Sequence, residues 1–153
     1  MKSMVNIHAG CVAIGRKGIL ILGGSGTGKS DLALRLIDEG ARLVADDRCE
    51  LYLRGKQLYA RPPAAIAGLL ELRGVGIIAL PYAKSAVLAM AVRLHSGPQE
   101  RLPEPAFYAP AAPFGVRLPL FMMNPAAPSA PARIRAALNA VETGGFRDTF
   151  NPS

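Results

Sequence analysis

The chain predicts an α/β fold, a P-loop sheet with short helices and an antiparallel extension, and three observations carry that expectation. Gly23-Gly24-Ser25-Gly26-Thr27-Gly28-Lys29-Ser30 fits the phosphate-binding pattern G-x-x-x-x-G-K-[ST]. A short apolar, β-branched run precedes it and a helix-forming run follows it, the context that such a loop needs. A second apolar run then ends in the acidic pair Asp46-Asp47, completing a strand–helix–strand unit.

Taken in order, residues 5–8 and 11–14 read as two short strands punctuated by Ala9-Gly10 and by Gly15-Arg16-Lys17-Gly18. They form an antiparallel lead-in to the P-loop strand, residues 18–22. The glycines of the loop let backbone N–H groups curl around an anion, and the following helix adds the partial positive charge of its N-terminus. Lys29 is placed to reach the terminal phosphates of a nucleotide, and the Ser30 hydroxyl to hold magnesium. The helix runs over 31–39 and closes at Gly40. Residues 41–45 form a second strand. A right-handed crossover makes it parallel to the first and sets Asp46-Asp47 beside the phosphates.

Beyond this unit, 49–53 and 57–60 flank Arg54-Gly55-Lys56 as a hairpin, Pro62-Pro63 stops it, and 64–68 has room for one helical turn. Residues 69–80 set Glu71 and Arg73 inside an apolar segment, and 86–94 is another strand. Nine of the thirteen prolines fall between Pro98 and Pro131, which excludes long regular elements there. Residues 115–121 read as a short edge strand. The terminal helix runs over 130–143, with Pro131 near its start and Gly144-Gly145 after its end.

At 153 residues the chain reads as one domain, 1–153, with 50% hydrophobic and 19% charged residues, ordinary values for a soluble globular protein. No apolar run approaches the ~20 residues that span a bilayer. Met1-Lys2-Ser3-Met4 is followed by no apolar signal region, so a cytoplasmic protein with no membrane partner is expected. Cys11 and Cys49 provide neither a disulfide framework nor a metal quartet and read as buried free thiols. The net charge is +7, yet the arginines are scattered from Arg16 to Arg147 with few aromatics between them. That pattern argues against nucleic acid and is met equally well by an anionic small ligand or an acidic protein partner.

Several residues admit two readings. An aspartate beside a γ-phosphate can ligate magnesium or accept the proton of an attacking hydroxyl, whereas an Asp pair can also simply open a turn. Strand alternation would aim only one of Asp46 and Asp47 at the phosphate. Glu71 either pairs with Arg73 or another arginine, or binds a cation. His8 by itself reads as a satisfied structural histidine. Arg101 and Arg117 lie among prolines in loops, each suited to clamping a phosphate.

Together these residues resemble the catalytic domain of HPr kinase/phosphorylase. The resemblance lies in His8-Ala9-Gly10, in residues 23–30, in Leu43-Val44-Ala45-Asp46-Asp47 and in Leu69-Leu70-Glu71-Leu72-Arg73-Gly74-Val75-Gly76-Ile77-Ile78. It implies a phosphoenolpyruvate-carboxykinase-like P-loop sheet and a single kinase catalytic domain using ATP and Mg²⁺. Its partner would be an HPr-like phosphocarrier protein, phosphorylated on serine, and the assembly a homo-oligomer, a hexamer. His8 and Lys29 become active-site residues, Ser30 and Glu71 the magnesium ligands. Asp47 becomes the base for phosphorylation, with Asp46 its neighbour. Residues 70–79 match the family's catalytic stretch, and Arg101 its active-site arginine. The family's two-arginine dephosphorylation loop is reduced to Gly115-Val116-Arg117-Leu118-Pro119. The chain resembles the short forms that lack the N-terminal domain and accompany nitrogen-type phosphotransferase systems. Two other readings differ in class: a nucleotide-sensing module that binds ATP and a partner without phosphotransfer, and a small-molecule kinase with a closed pocket beside the P-loop.

Overall fold

The computed structural model describes residues 4–110 and 114–147. In chain order the elements are β1 (Met4–Ile7), β2 (Gly10–Ile14), β3 (Lys17–Leu22), α1 (Lys29–Asp38), β4 (Arg42–Ala45), β5 (Cys49–Arg54) and β6 (Gln57–Arg61). A 3₁₀ turn at Ala64–Ile66 leads to β7 (Leu69–Leu72), β8 (Gly76–Ala79), β9 (Ala86–Leu94), β10 (Ala106–Tyr108), β11 (Leu118–Met123) and α2 (Ala130–Thr143).

The main sheet has the order β1-β5-β6-β9-β3-β2-β4, with β11 parallel to the second half of β9 and β10 outside it. β3 and β9 run parallel at its centre. β2 is antiparallel to both β3 and β4, so those two strands point the same way with β2 between them. The crossover through α1 is thus parallel, as expected, but spans one intervening strand. Its consequence holds: the P-loop and Asp46-Asp47 emerge at the same end of the sheet.

Strand alternation divides the core into two layers. Val12, Ile19 and Ile21 face the helices and pack with Leu32 and Leu36 of α1 and with Ile134 and Leu138 of α2. Cys11, Ala13, Leu20 and Leu22 face the other way and pack with Cys49, Leu51 and Leu58, so the β5–β6 hairpin curls over that face. β9 serves both layers through a bulge. Gly18 lies opposite Leu88 but Ile19 opposite Met90, which leaves Ala89 as the extra residue. Ahead of it Ala86 and Leu88 face the hairpin layer; beyond it Met90, Val92 and Leu94 face the helices. Cys11 and Cys49 are buried and free. A hydrogen bond with Cys49, together with burial, holds the Cys11 thiol well above its usual pKa.

Three expectations need correction. β1 pairs with β5 rather than with β2. Ala9 between them is fully buried, and a surface hairpin turn cannot place its residue in the core. Residues 69–80 are no single segment but a separate two-stranded sheet, β7 against β8, turning at Arg73-Gly74-Val75. The strand expected at the edge starts later, at Leu118, and is paired on both sides, with β9 and β10.

Candidate active site

The P-loop takes its shape from two constraints. At Gly23, with φ 157°, an added Cβ would come within 2.6 Å of Thr27 Oγ1. That hydroxyl donates to the Gly24 carbonyl at 2.7 Å, pinning the turn from inside. Gly28 caps α1 at φ 102°, a conformation that side chains disfavour, and no side chain caps the first turn. The first N–H groups of α1 therefore lie open to an anion. Lys29 is only 7% exposed. Its Nζ donates to the carbonyls of Gly23 (2.8 Å) and Gly24 (3.0 Å), which holds the ammonium inside the loop.

The acidic pair divides its work. Asp46, half-buried past the end of β4, accepts from Ser30 Oγ at 2.7 Å and, through its second oxygen, from the backbone N–H of Glu71 at 3.1 Å. One carboxylate thus ties the start of α1 to the β7–β8 hairpin. Asp47 is the one non-glycine residue at positive φ among the described residues, at 70°. Backbone strain of that kind concentrates at functional sites. The left-handed turn breaks strand alternation, and Asp47 reaches His8 Nε2 at 2.6 Å. The Asp47 side chain remains 60% exposed.

Gly28, Lys29, Ser30, Asp46, Asp47 and Glu71 line one cavity of about 610 Å³. Ser25 and Gly26 line it too, while Gly23, Gly24 and Thr27 frame the loop beneath. Glu71 is exposed and makes no ion pair among the described residues, so its carboxylate is not neutralised by Arg73. The Ser30 hydroxyl spends its proton on Asp46 and keeps its lone pairs. Ser30, Asp46 and Glu71 together offer hard oxygen donors on one wall, a set that suits magnesium. Among the described residues no cluster of three acidic, His or Cys side chains forms a closed metal cage. Magnesium fits such an open site because it keeps waters and phosphate oxygens in its shell.

His8 belongs to the site through Asp47 rather than as a wall of the cavity. Two expected residues are not brought there. Arg101 lines a different cavity, against α2 and β11, and the Arg117 guanidinium lies 4.0 Å over the Phe107 ring. Two residues that brace the loop escaped the sequence reading. Pro125, just past β11, lies beside Gly28, 3.5 Å from where a side chain there would begin, and Arg35 of α1 donates to the Pro125 carbonyl at 2.6 Å. The Asp31–Arg35 spacing at i,i+4 was the available signal for Arg35; nothing local marks Pro125.

A family model described as the HPr Serine kinase C-terminal domain matches residues 1–90. The HPr kinase/phosphorylase of Levilactobacillus brevis is 47% identical over 74 residues, covering 48% of this chain and 24% of that protein. Its counterpart from Streptococcus thermophilus is 46% identical over 85 residues, covering 54% of this chain and 28% of that protein. The chain thus matches about a quarter of the length of these curated relatives. The Hpr(Ser) kinase/phosphatase from Coxiella burnetii has a similar structure, with a TM-score of 0.75 and 25% identity, covering 90% of this chain and 96% of that one. Among the described residues no helix is long and apolar enough to cross a membrane.

Proposed function

The chain belongs to the HPr serine kinase C-terminal domain family, and we propose that it is an ATP- and magnesium-dependent kinase that phosphorylates a serine of an HPr-like phosphocarrier protein. The observation that carries the reading is Asp47: an exposed carboxylate in a strained turn, held by His8 at 2.6 Å, on the wall of the cavity that contains the P-loop.

The loop N–H groups and the α1 N-terminus bind the phosphates, and Lys29 exchanges its carbonyl partners for phosphate oxygens. Ser30 and Glu71 would hold magnesium, which would supply charge neutralisation at the phosphates. Asp46 keeps the Ser30 hydroxyl and the Glu71 backbone in fixed relation. The substrate serine's oxygen bonds to the γ-phosphorus as the bond to the β,γ-bridging oxygen breaks, and the serine proton passes to Asp47. His8 fixes the orientation of that carboxylate. Accepting a proton from a positioned hydroxyl is typically worth about 100- to 10,000-fold. Reverse transfer needs inorganic phosphate held by several donors. With Arg117 engaged on Phe107, phosphate-driven release is proposed to be weak.

The test is transfer from labelled ATP, with magnesium, to a purified HPr-like protein, followed by mapping of the modified residue. Phosphoserine on the carrier is the expected result. ATP binding with no transfer to any such carrier would contradict the kinase reading and favour a nucleotide-sensing module.

A further inference from the structure

A second cavity, of about 560 Å³, lies on the helix-facing layer between α2, β9 and β11. Its accessible apolar lining comes from Leu102, Phe121, Met122 and Phe146, over the fully buried core side chains of Met90, Val92 and Ile134. Three arginines line it, Arg101, Arg133 and Arg147, and among the described residues no carboxylate does. Among the described residues none of the three is ion-paired with an acidic side chain, although five other ion pairs form in the same structure. The volume falls in the range of small-molecule sites, ~300–1,000 Å³, which combine an apolar lining with a few placed charges.

We infer that this cavity binds a small anionic ligand with an apolar body, such as a medium-chain carboxylate, and that its occupation tightens nucleotide binding at the P-loop. The class follows from the lining. A polar polyol phosphate would leave its hydroxyls unpaired against Leu102, Phe121, Met122 and Phe146, at a cost for each. A neutral hydrocarbon would leave the unpaired arginines without use. Only an amphiphilic anion satisfies both halves.

The route to the P-loop is a short, continuous set of contacts. Gln99 accepts from the Asn124 backbone N–H at 2.6 Å and donates to the Met122 carbonyl at 3.1 Å. Asn124 in turn donates from its side chain to the Gly97 carbonyl at 2.8 Å. The segment that carries Arg101 is thereby stitched to the end of β11. One residue further on, Pro125 lies beside Gly28 and its carbonyl accepts from Arg35 of α1 at 2.6 Å. A ligand held between Arg101, Arg133 and Met123 orders this segment, and with it the wall on which the P-loop rests; ordering in advance lowers what a second ligand must supply. This second half of the inference rests on reading the P-loop as the nucleotide site.

The test is calorimetric titration of the whole chain with decanoate, decan-1-ol and acetate, followed by ATP titration with and without saturating decanoate. Decanoate is expected to bind at least tenfold more tightly than either control and to lose at least tenfold in the double variant Arg133→Ala, Arg147→Ala. It should tighten ATP binding at least threefold, and ATP should tighten decanoate binding by the same factor. No binding of decanoate, equal binding of decan-1-ol, or decanoate binding unchanged in the double variant would overturn the site. Methyl resonances of Met123 and Ile134 that shift on concentrating the protein without probe would place a second copy in the groove, and would overturn it too. An ATP affinity indifferent to decanoate would overturn the coupling. Failure to bind ATP without any probe would instead contradict the nucleotide reading, while the decanoate titrations judge the cavity independently.

Discussion

The two cavities are similar in size, about 610 and 560 Å³, and have no lining residue in common, and they are built on opposite principles. The first is made by residues 25–75 and is lined by backbone amides, one buried ammonium and carboxylates, two of which, Asp46 and Asp47, have fixed partners. The second draws on residues 90–147 and is lined by core side chains with arginines among them. In the first, the proposed binding of a phosphate would dictate which residue stands at each position. In the second, close packing dictates only that the floor be apolar and of the right volume, so many sequences would serve. Substitutions at the first should therefore act on chemistry, and at the second on stability or on a ligand that packing alone accommodates.

The sharpest way to break that contrast is Lys29→Ala. The ammonium is buried against two loop carbonyls and is the cation proposed to take the phosphates. Transfer is expected to fall below detection, with ATP binding weakened and the fold retained, as judged by a nucleotide titration and a thermal melt run together. Equal affinity and turnover would remove the P-loop from the account.

Next in size are Leu36→Ala and Ile134→Ala, one from each half of the chain but both fully buried in the same cluster. Each should cost about 2–5 kcal/mol in denaturant unfolding, because a large aliphatic side chain is removed from a packed layer. Similar losses would show that the second half is part of one core. A loss confined to Leu36 would separate the halves.

Glu71→Gln should raise the magnesium concentration for half-maximal transfer by roughly tenfold, since a neutral amide is a poorer partner for a hard cation. An unchanged magnesium titration would make Glu71 a residue of the hairpin only. The smallest effect is expected from Arg101→Ala, which lines the second cavity. Forward transfer should stay within about threefold of wild type, the scale of a surface substitution away from the chemistry. A loss of a hundredfold would mean that Arg101 reaches the reacting phosphate after all.

This contrast also explains what the amino-acid sequence made legible. The loop, the acidic pair, the β5–β6 hairpin and α2 were readable because each is specified by neighbours in the chain: glycine spacing, a strand end, a two-strand turn, a proline and a glycine at the helix ends. The pairing of β1 with β5 was not, because residues more than forty apart in sequence choose each other by burial. β10 was hidden among prolines, and the interior position of β11 depends on β6 pairing with only Ala86 and Val87 of β9, which leaves the rest of that edge to β11. At the site, His8 and Asp47 were each visible, but their contact spans 39 positions and depends on the positive φ of Asp47. That Arg101 lines the second cavity was hidden for the same reason: its segment is held by Gln99 and Asn124, through contacts that no local pattern encodes.

The central claim is that Asp47, not Asp46, takes the proton of the substrate serine. The direct measurement is transfer to a phosphocarrier by Asp47→Asn, with ATP affinity measured on the same preparation. Turnover should fall at least about a hundredfold while ATP affinity stays that of the wild type, because the variant keeps the shape of the site but cannot accept a proton. Wild-type turnover in that variant would contradict the claim and return the role of base to Asp46 or to none of these residues.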